Sequence, residues 1–465
     1  MTENLNLARP TVSPRRLLVP LALAQFICSF AGSNMNVMIN DISTDLDTTV
    51  QGVQTAITLF LLVMAALMIP GSKLSDRWGR KRCFTMGLTI YGVGALLSAV
   101  APGLGILILG NSILEGVGSA LLIPPVYILT TLLFTDLQSR AWAFGRISGM
   151  GGIGAAAGPL IGGLITTAIS WRASFLFQAL IIAAIVLLSR KLVDPLPPDP
   201  TRPFDTVGAI LSALGMLFVV LGILQAGSNG LLMTIFLALG AALLLWFFLW
   251  IRSLERAGRE PLLSTGLFRN RTSNLGLITQ NIQWLVLLGT SFVVSVYLQT
   301  VRGYNAIQTG VIFTAATVGI LVSSLGAERF AGRRTQKSLI LAGFVTTIVG
   351  IGLLIGLVSA SDSVLAFVPG LLLIGLGVGV MLTPSVNLVQ SAFPEEQQGE
   401  ISGLSRSVSN LGSSLGTAIA GTILVSDLAA GTRAYALAMA SLAVIGLIGL
   451  GAALLLPSNP IPQQA

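Results

Sequence analysis

The chain has 465 residues, of which 54% are hydrophobic and only 9% are charged. Soluble domains carry about 25% charged residues, so this composition excludes a soluble globular protein and indicates an integral membrane protein. The sequence contains no histidine and only two cysteines, Cys28 and Cys83. Histidine metal sites, Ser/His or Cys/His catalysis and a disulfide framework are therefore excluded.

Long apolar runs recur along the whole chain. A bilayer core requires about 20 apolar residues per helix. The first run follows Arg15 and Arg16 and is too long for the core of a signal peptide, so we predict an uncleaved span. Fourteen spans are predicted in total, at residues 17–39, 53–71, 84–101, 104–133, 143–168, 173–189, 207–225, 231–251, 274–299, 306–325, 338–359, 364–384, 399–426 and 434–456.

The basic residues indicate the orientation of these spans. Of the 26 Lys and Arg residues, all but Arg172, Arg302 and Arg433 lie on the side of the predicted bundle that holds the N-terminus. The positive-inside rule then predicts that both termini are cytoplasmic. The net charge of +8 is thereby explained by membrane topology, and no nucleic-acid partner is expected. We expect the plasma membrane of a bacterium as the location.

The connections suggest how the spans are grouped. The connection 190–206 is rich in proline, which makes a stiff, extended linker. The two spans that follow it resemble an insertion between two sets of six. The predicted organisation is an N-terminal tail (1–16), a six-helix bundle (17–189), a linker (190–206), two linking helices (207–251), a second linker (252–273), a second six-helix bundle (274–456) and a C-terminal tail (457–465).

A short loop between spans two and three combines both charge signs. Within Gly71–Arg82, Asp76 stands among basic residues and Gly79 permits a tight turn. Basic residues alone would satisfy the topology, so the acid indicates a defined set of ion pairs that could bias one conformational state. The residues predicted to form this cytoplasmic gate are Asp76, Arg77, Gly79, Arg80 and Arg146.

The fifth span carries glycines at every fourth position. Gly154, Gly158 and Gly162 share one helical face without side chains, against which another helix can pack closely. Pro159 lacks a backbone donor and favours a kink beside that face. Gly163 completes the pattern Gly-x-x-x-Gly-Pro-x-x-Gly-Gly.

The loop and the fifth span together resemble signatures of the major facilitator superfamily, and most closely its fourteen-helix drug:proton antiporters. Trp171-Arg172, Pro261-Leu262-Leu263 and Tyr297-Leu298-Gln299 resemble further landmarks of that branch. The resemblance implies an all-α protein of two six-helix bundles plus two linking helices. It also implies alternating access, export of small organic compounds in exchange for protons, and function as a monomer.

The sequence departs from that family at two positions linked with coupling. The aspartate expected in the first span falls on Ala31, and the arginine expected in the fourth span falls on Ser112. A neutral first span suits neutral or anionic solutes better than cations. A narrow exporter of one metabolite or lipid, weakly coupled to protons or not at all, is therefore an alternative to multidrug export.

Glu115 is the one acid in the middle of an apolar run. An ionisable group at this depth costs about 2.5–3.5 kcal/mol, so it rarely faces lipid. Asn111, Ser112 and Ser119 lie on the same helical face. Because burial disfavours an ionised carboxyl group, Glu115 is our candidate for proton coupling. The alternative is a protonated residue that serves packing alone.

Other polar residues within the spans are candidates for a substrate cavity, although hydrogen bonds between helices would explain them equally well. Glu400 and Arg406 could instead belong to the cytoplasmic mouth. The cavity candidates are Gln25, Asn34, Asn36, Asn111, Ser112, Gln280, Gln283 and Trp284.

No phosphate-binding loop and no cluster with metal-ligand spacing occurs in the sequence. We therefore expect no cofactor or metal, and partners limited to a small-molecule substrate, protons and the lipid bilayer. A non-transporting membrane receptor on the same fold is the alternative of another class. The short predicted tails argue against it, because such receptors often add soluble domains.

Overall fold

The fold was analysed in a computed structural model. It describes residues 14–134, 137–195, 197–226, 229–331, 335–361, 363–394, 397–425 and 431–457. Most of the two predicted tails therefore lies outside the described residues. Throughout the described ranges the regular structure is helical, without strands.

The described residues form fourteen long helical segments, which we number α1–α14 in chain order. Short 3₁₀ or π segments of four to eight residues interrupt or extend several of them. Their bounds are α1 Pro14–Asn34 (extended by Met35–Met38 and Ile39–Asp45), α2 Val50–Trp78, α3 Arg80–Ala99, α4 Leu104–Leu133, α5 Leu137–Ala168, α6 Trp171–Ser189, α7 Thr206–Leu224, α8 Gly230–Arg256, α9 Arg271–Val296 (extended by Tyr297–Val301), α10 Ala306–Ala331, α11 Gln336–Ala360, α12 Val368–Gln390 (preceded by Val364–Phe367), α13 Gln398–Val425 and α14 Thr432–Leu454.

Length and apolar composition qualify fewer helices as membrane spans than the fourteen predicted. Within the described ranges twelve helices qualify, and α5 becomes the thirteenth if its two parts, bent by 42° between Ala155 and Ala157, form one span. The remaining helix, α13, carries Glu400, Arg406 and a series of serines, which lower its hydropathy. Its polar residues are covered by packing against α2 and α9.

Helix contacts repeat with an offset of eight helices. The pairs α1–α5, α2–α4, α3–α4 and α3–α6 each pack together, and so do α9–α13, α10–α12, α11–α12 and α11–α14. The two main contacts between these sets are α2–α13 and α5–α10. Moving one partner of the first contact eight helices forward and the other eight helices back gives the second contact. We term α1–α6 the N-half and α9–α14 the C-half. The pattern is that of two related halves about a pseudo-twofold axis.

Helices α2 and α13 pack against each other along most of their length. Serines seven residues apart on α13 donate to backbone carbonyls of α2: Ser407 to Ala65 at 2.6 Å and Ser414 to Thr58 at 3.1 Å. One helical turn beyond Ser414, the carbonyl of Thr417 accepts a hydrogen bond from the side-chain amide of Gln54 at 3.2 Å. A repeat of seven is typical of two helices that cross at a small angle.

The helices α7 and α8 pack on each other and reach the halves through α7, which contacts α2 and α13. Asp205 fixes this pair in place. Its carboxylate accepts hydrogen bonds from the Gly208 amide at 2.8 Å, the Trp250 indole at 2.9 Å and the Leu262 amide at 3.2 Å. Large apolar side chains of α8 stay exposed, Leu245 at 61% and Trp246 at 58%, as expected for a surface that faces lipid.

Two ends of the bundle are distinguished below. The tail side is the end near Leu17 and Trp78, where α1 begins and α2 ends. The far side is the end near Asp45 and Val50, where the extension of α1 ends and α2 begins. That extension ends at Asp45, beyond the predicted end of the run at residue 39, because a 3₁₀ turn at Met35–Met38 leads the chain into a second short helix.

Candidate functional site

A cavity lies between the two halves. The space free of protein atoms is about 920 Å³, part of which is open to the surroundings. Its wall is mainly apolar and is built from seven helices, α1, α2, α4 and α5 of the N-half and α9, α10 and α13 of the C-half. Because both halves line it, a rotation of one half against the other would change access to it.

The polar residues of the cavity are concentrated where α1, α4 and α13 meet. The guanidinium group of Arg406 donates a hydrogen bond to the hydroxyl of Tyr127 and lies 4.5 Å from the centre of that ring. The Tyr127 hydroxyl donates to Gln25 Oε1 at 3.1 Å, and Gln25 Nε2 donates to Ser29 at 3.2 Å. This chain of contacts joins the C-half to the N-half inside the cavity.

Two of the eight predicted cavity residues, Gln25 and Trp284, line the cavity. The amides of α9 bond to neighbouring helices: Gln280 accepts from Ser405 at 2.9 Å and Gln283 from Ser385 at 3.0 Å. The other four, Asn34, Asn36, Asn111 and Ser112, are buried between helices outside the lining. Asn34 donates to Ser174 at 3.4 Å, and Ser112 donates to the Ala56 carbonyl at 2.8 Å.

Glu115 is completely buried, at 0% exposure, between α4 and α3. It lies at the end of a π-helical turn over Ile108–Glu115, a feature that is frequent at functional sites. Tyr91 and Ser98 face its carboxyl group. Their hydroxyl protons are used elsewhere, since Tyr91 donates to Gln178 at 2.5 Å and Ser98 to the Gly94 carbonyl at 2.9 Å. Both hydroxyls therefore lie beside the Glu115 carboxyl group without a well-aligned hydrogen bond to it.

Glu115 does not line the cavity, but polar side chains connect the two. Ser119 lies one helical turn beyond Glu115 on the same face of α4. The Cys28 thiol donates to the Ser119 hydroxyl at 3.5 Å, and Cys28 is itself part of the cavity wall. Ala31, where the family pattern predicts an acid, packs in the apolar core of the N-half.

The tail side of the N-half holds a cluster of ion pairs. Asp76 accepts from Arg80 at 2.6 Å and from Arg202 of the linker at 3.2 Å. Asp194 accepts from the Arg80 backbone amide at 2.7 Å and lies 3.9 Å from its guanidinium group. Gly79, with a positive φ of 94°, makes the turn that separates α2 from α3. The linker residues Asp194 and Arg202 were not predicted as members.

The other two predicted gate residues stand apart from this cluster. Arg146 lies on α5 with its guanidinium carbon 4.4 Å from the centre of the Trp142 ring. Arg77 is half-buried, and no ion pair joins it to another described residue. An ion pair not predicted from the sequence links the halves here: Lys73 of α2 and Glu400 of α13 are 2.5 Å apart.

The glycine face of α5 packs directly on α1. A Cβ atom added at Gly154 would overlap the Phe26 carbonyl oxygen, and one at Gly158 would overlap the Ser33 hydroxyl. At Gly162 the added atom would lie 3.1 Å from Cβ of Asn34. The backbones of the two helices are therefore as close as glycine allows.

On the far side the same helix meets the C-half. A Cβ atom at Gly163 would overlap the Ala306 carbonyl oxygen, and the Ile307 amide donates to the Thr167 hydroxyl at 3.1 Å. Nearby, Gln299 of α9 bridges to α1: its amide nitrogen donates to the Asn36 carbonyl at 2.7 Å, and its oxygen accepts from the Asn40 amide at 3.0 Å. These contacts close the far side of the cavity.

Sequence reasoning missed most of the polar wall contributed by α13. Arg406, Ser409, Asn410 and Ser413 all line the cavity. Their spacing of three and four residues was a usable signal, because it places them on one helical face. The described residues contain no group of three Cys, Asp or Glu side chains placed to hold a metal ion.

Comparison with protein families gives a match over most of the chain. The profile of the Major Facilitator Superfamily matches residues 21–417, and a second match covers 282–464.

Similar curated proteins include the puromycin resistance protein pur8 of Streptomyces alboniger. It is 30% identical over 417 residues, which are 88% of this chain and 82% of the relative. The multidrug efflux pump LfrA of Mycolicibacterium smegmatis is 30% identical over 368 residues, or 79% of this chain and 72% of the relative.

Among solved structures, a crystal structure of the peptide transporter POT in complex with sulfate superimposes with a TM-score of 0.69. It shares 17% sequence identity and covers 94% of both chains. At that identity the likeness shows the fold alone.

Proposed function

We propose that this chain, which belongs to the Major Facilitator Superfamily, exports small, fairly apolar organic compounds in exchange for protons. The chain is a transporter and not an enzyme, and it is a multi-pass membrane protein. Export is supported by the relatives, which are named for puromycin resistance and multidrug efflux.

The observation that carries the proposal is the cavity enclosed between two matched halves. The halves are held together at both ends of the cavity. The α1–α9 and α5–α10 contacts lie on the far side and the Lys73–Glu400 ion pair lies on the tail side, while the α2–α13 contact runs from Gln54 near the far side toward that ion pair. Alternating access follows if the two sets of contacts break in turn as the halves rock.

The proposed topology has fourteen spans in the plasma membrane of a bacterium. Both termini lie in the cytoplasm. In this topology α13 is a span despite its polar residues, because α2 and α9 cover them. The bundles 17–189 and 274–456 move relative to each other, and the pair 207–251 stays attached at the edge. One copy of the chain suffices, because both walls of the cavity come from it.

On this topology the Asp76 cluster lies at the cytoplasmic end of the N-half. It ties the α2–α3 turn to the linker that leads to α7, through Asp194 and Arg202. Since the linker connects the two halves in sequence, we assign the cluster a role in setting the balance between conformations rather than in binding solute.

Asp76→Asn should lower the rate of export about fivefold, since it weakens two partly exposed ion pairs worth roughly 1 kcal/mol together. The matched control is Asp199→Asn, an exposed residue that lies 3.7 Å from Arg202 and accepts hydrogen bonds from Thr201. Asparagine keeps the accepting oxygen, so the rate should be unchanged. Initial export rates at equal protein levels measure both. Equal rates in the two variants would remove Asp76 from the gate.

Proton coupling is assigned to Glu115. Its complete burial without a basic partner among the described residues favours a protonated carboxyl group, and ionisation would require a change in its surroundings. The polar contact from Ser119 to Cys28 at the cavity wall is the route by which a bound solute would affect it. Coupling is therefore indirect, because solute and proton occupy separate places.

The proposal is tested in bacterial cells that lack their own efflux pumps. Cells that express the chain are loaded with the neutral probe phenylnaphthylamine, and its fluorescence is followed after energy is supplied. Fluorescence should fall faster than in empty-vector cells, and nigericin, which collapses the pH gradient, should stop the fall. Loss of probe at the empty-vector rate would contradict export, and export that survives nigericin would contradict coupling.

A narrow exporter remains the second candidate, because no carboxylate lines the cavity within the described residues and Ala31 is buried in the core. A multidrug exporter that accepts cations would benefit from an acidic side chain in its cavity, and the described lining residues include none. A growth panel of unrelated compounds separates the two. Protection against one compound alone favours the narrow exporter, and protection against several favours multidrug export.

A further inference from the structure

The cavity contains one charged side chain among its described lining residues, that of Arg406. It lies about two turns into α13, between the halves. Its contacts are the hydroxyl and the ring face of Tyr127. Both of these groups are neutral, so neither balances the positive charge.

A guanidinium group in such a place requires compensation. Its five donors are arranged in a planar fork that matches a carboxylate or another oxyanion. The ion pairs found among the described residues do not include Arg406, and the acid nearest to it on α13, Glu400, is already paired with Lys73. Arg406 is half-buried and has no opposite charge beside it among the described residues, and an anionic solute in the cavity would supply one.

The rest of the wall is suited to an apolar body. Leu61, Leu287 and Phe313 present aliphatic and aromatic surface, Met64 and Met68 can adapt to irregular shapes, and Trp284 offers a ring for stacking. Serines and Asn410 beside Arg406 supply neutral hydrogen-bonding groups. The cavity therefore has a cationic end and an apolar remainder.

We infer that the cavity prefers amphipathic organic anions, in which a carboxylate or sulfonate pairs with Arg406 and an aromatic or aliphatic body lies against the apolar wall. This inference rests on the proposed export function and narrows its substrate class. It separates this chain from exporters whose cavities carry an acid for cationic compounds.

The test uses two probes with the same aromatic skeleton, anilinonaphthalene sulfonate, which carries a negative charge, and phenylnaphthylamine, which does not. Binding to the purified full chain in lipid nanodiscs is read as energy transfer from tryptophan. The part of the signal that is lost in Trp284→Phe reports the cavity. Wild type should bind the sulfonate more tightly than the amine.

Arg406→Gln should weaken sulfonate binding by about 10- to 100-fold, the loss expected for a charge-assisted hydrogen bond. It should leave amine binding unchanged, and Arg406→Lys should retain most of the affinity for the sulfonate. The matched control is Arg302→Gln. Arg302 also lies over a tyrosine, 5.5 Å from the centre of the Tyr297 ring, but outside the cavity lining, so neither probe should be affected.

Equal sulfonate affinity in wild type and Arg406→Gln would overturn the inference, and so would a wild type that binds the neutral probe as tightly as the sulfonate. A failure of the export proposal would give a different set of results. If sulfonate binding depends on Arg406 but cells export neither probe, the cavity assignment stands and export fails. If cells export the amine while sulfonate binding ignores Arg406, export stands and the anion preference fails.

Discussion

Replacement of Gly154 by valine is expected to reduce export of phenylnaphthylamine by more than about tenfold and to lower the melting temperature of the protein. The added side chain would overlap the Phe26 backbone carbonyl of α1, and a backbone atom has less freedom to move aside than a flexible side chain. Overpacking of this kind costs about 1–3 kcal/mol or more. Separation of α1 from α5 would also distort the cavity wall, to which both helices contribute.

Gly152→Val on the same helix is the matched control. A Cβ atom at Gly152 meets nothing within 4 Å, so this variant should export and melt like the wild type. Gly154→Ala extends the test if the valine variant does not fold, because its single methyl group already reaches the Phe26 carbonyl. Similar behaviour of Gly154→Ala and Gly152→Ala would show that the close α1–α5 contact is not required.

Glu115→Gln is expected to abolish the dependence of export on the pH gradient, with nigericin no longer changing the rate. Active export should fall to the level of downhill leak. Glutamine keeps the shape of the side chain but cannot bind or release a proton. Because an ionised group at this depth costs about 2.5–3.5 kcal/mol, the neutral replacement should not lower the melting temperature. A residue that served packing alone would give unchanged export instead.

Asp41→Asn provides the matched control for the loss of an acid. Asp41 lies in the extension of α1 and is exposed, so its replacement should leave both the export rate and its nigericin sensitivity intact. Nigericin sensitivity that persists in Glu115→Gln would remove Glu115 from coupling, whatever the rate of export.

The helices themselves were predictable, because apolar runs and helix-breaking residues are local features of the sequence. The glycine face of α5 was predictable for the same reason, since spacing alone places Gly154, Gly158 and Gly162 on one face. The turn at Gly79 also follows from local chemistry. The irregular turns could not be predicted from the sequence, because neither the 3₁₀ turn at Met35–Met38 nor the π-helical turn that ends at Glu115 has a recognisable sequence pattern.

The composition of the cavity wall was less predictable, because it depends on how helices rotate against each other. Gln25 and Gln280 look alike in sequence as polar residues within apolar runs. Gln25 lines the cavity, whereas Gln280 accepts a hydrogen bond from Ser405 of the neighbouring helix. Arg406 shows the reverse case, since its position near the predicted cytoplasmic mouth concealed its place in the wall.

In the proposed mechanism, access to the cavity alternates as the far-side contacts open and close. A cross-link between the halves, with Thr167→Cys and Ile307→Cys joined by a short cleavable thiol reagent, would hold these contacts closed. The Ile307 amide lies 3.1 Å from the Thr167 hydroxyl, so the two cysteines will be close. Cys28 and Cys83, both buried, are first replaced, Cys83 by alanine and Cys28 by serine, which keeps a donor for the Ser119 hydroxyl. The control is Asp45→Cys with Arg172→Cys, an ion pair on the same side but within the N-half.

Export by the Thr167–Ile307 cross-linked protein is the decisive measurement. Cross-linking should stop export, reduction should restore it, and the cross-link within the N-half should have no effect. Undiminished export by the protein cross-linked between its halves would contradict alternating access through this cavity.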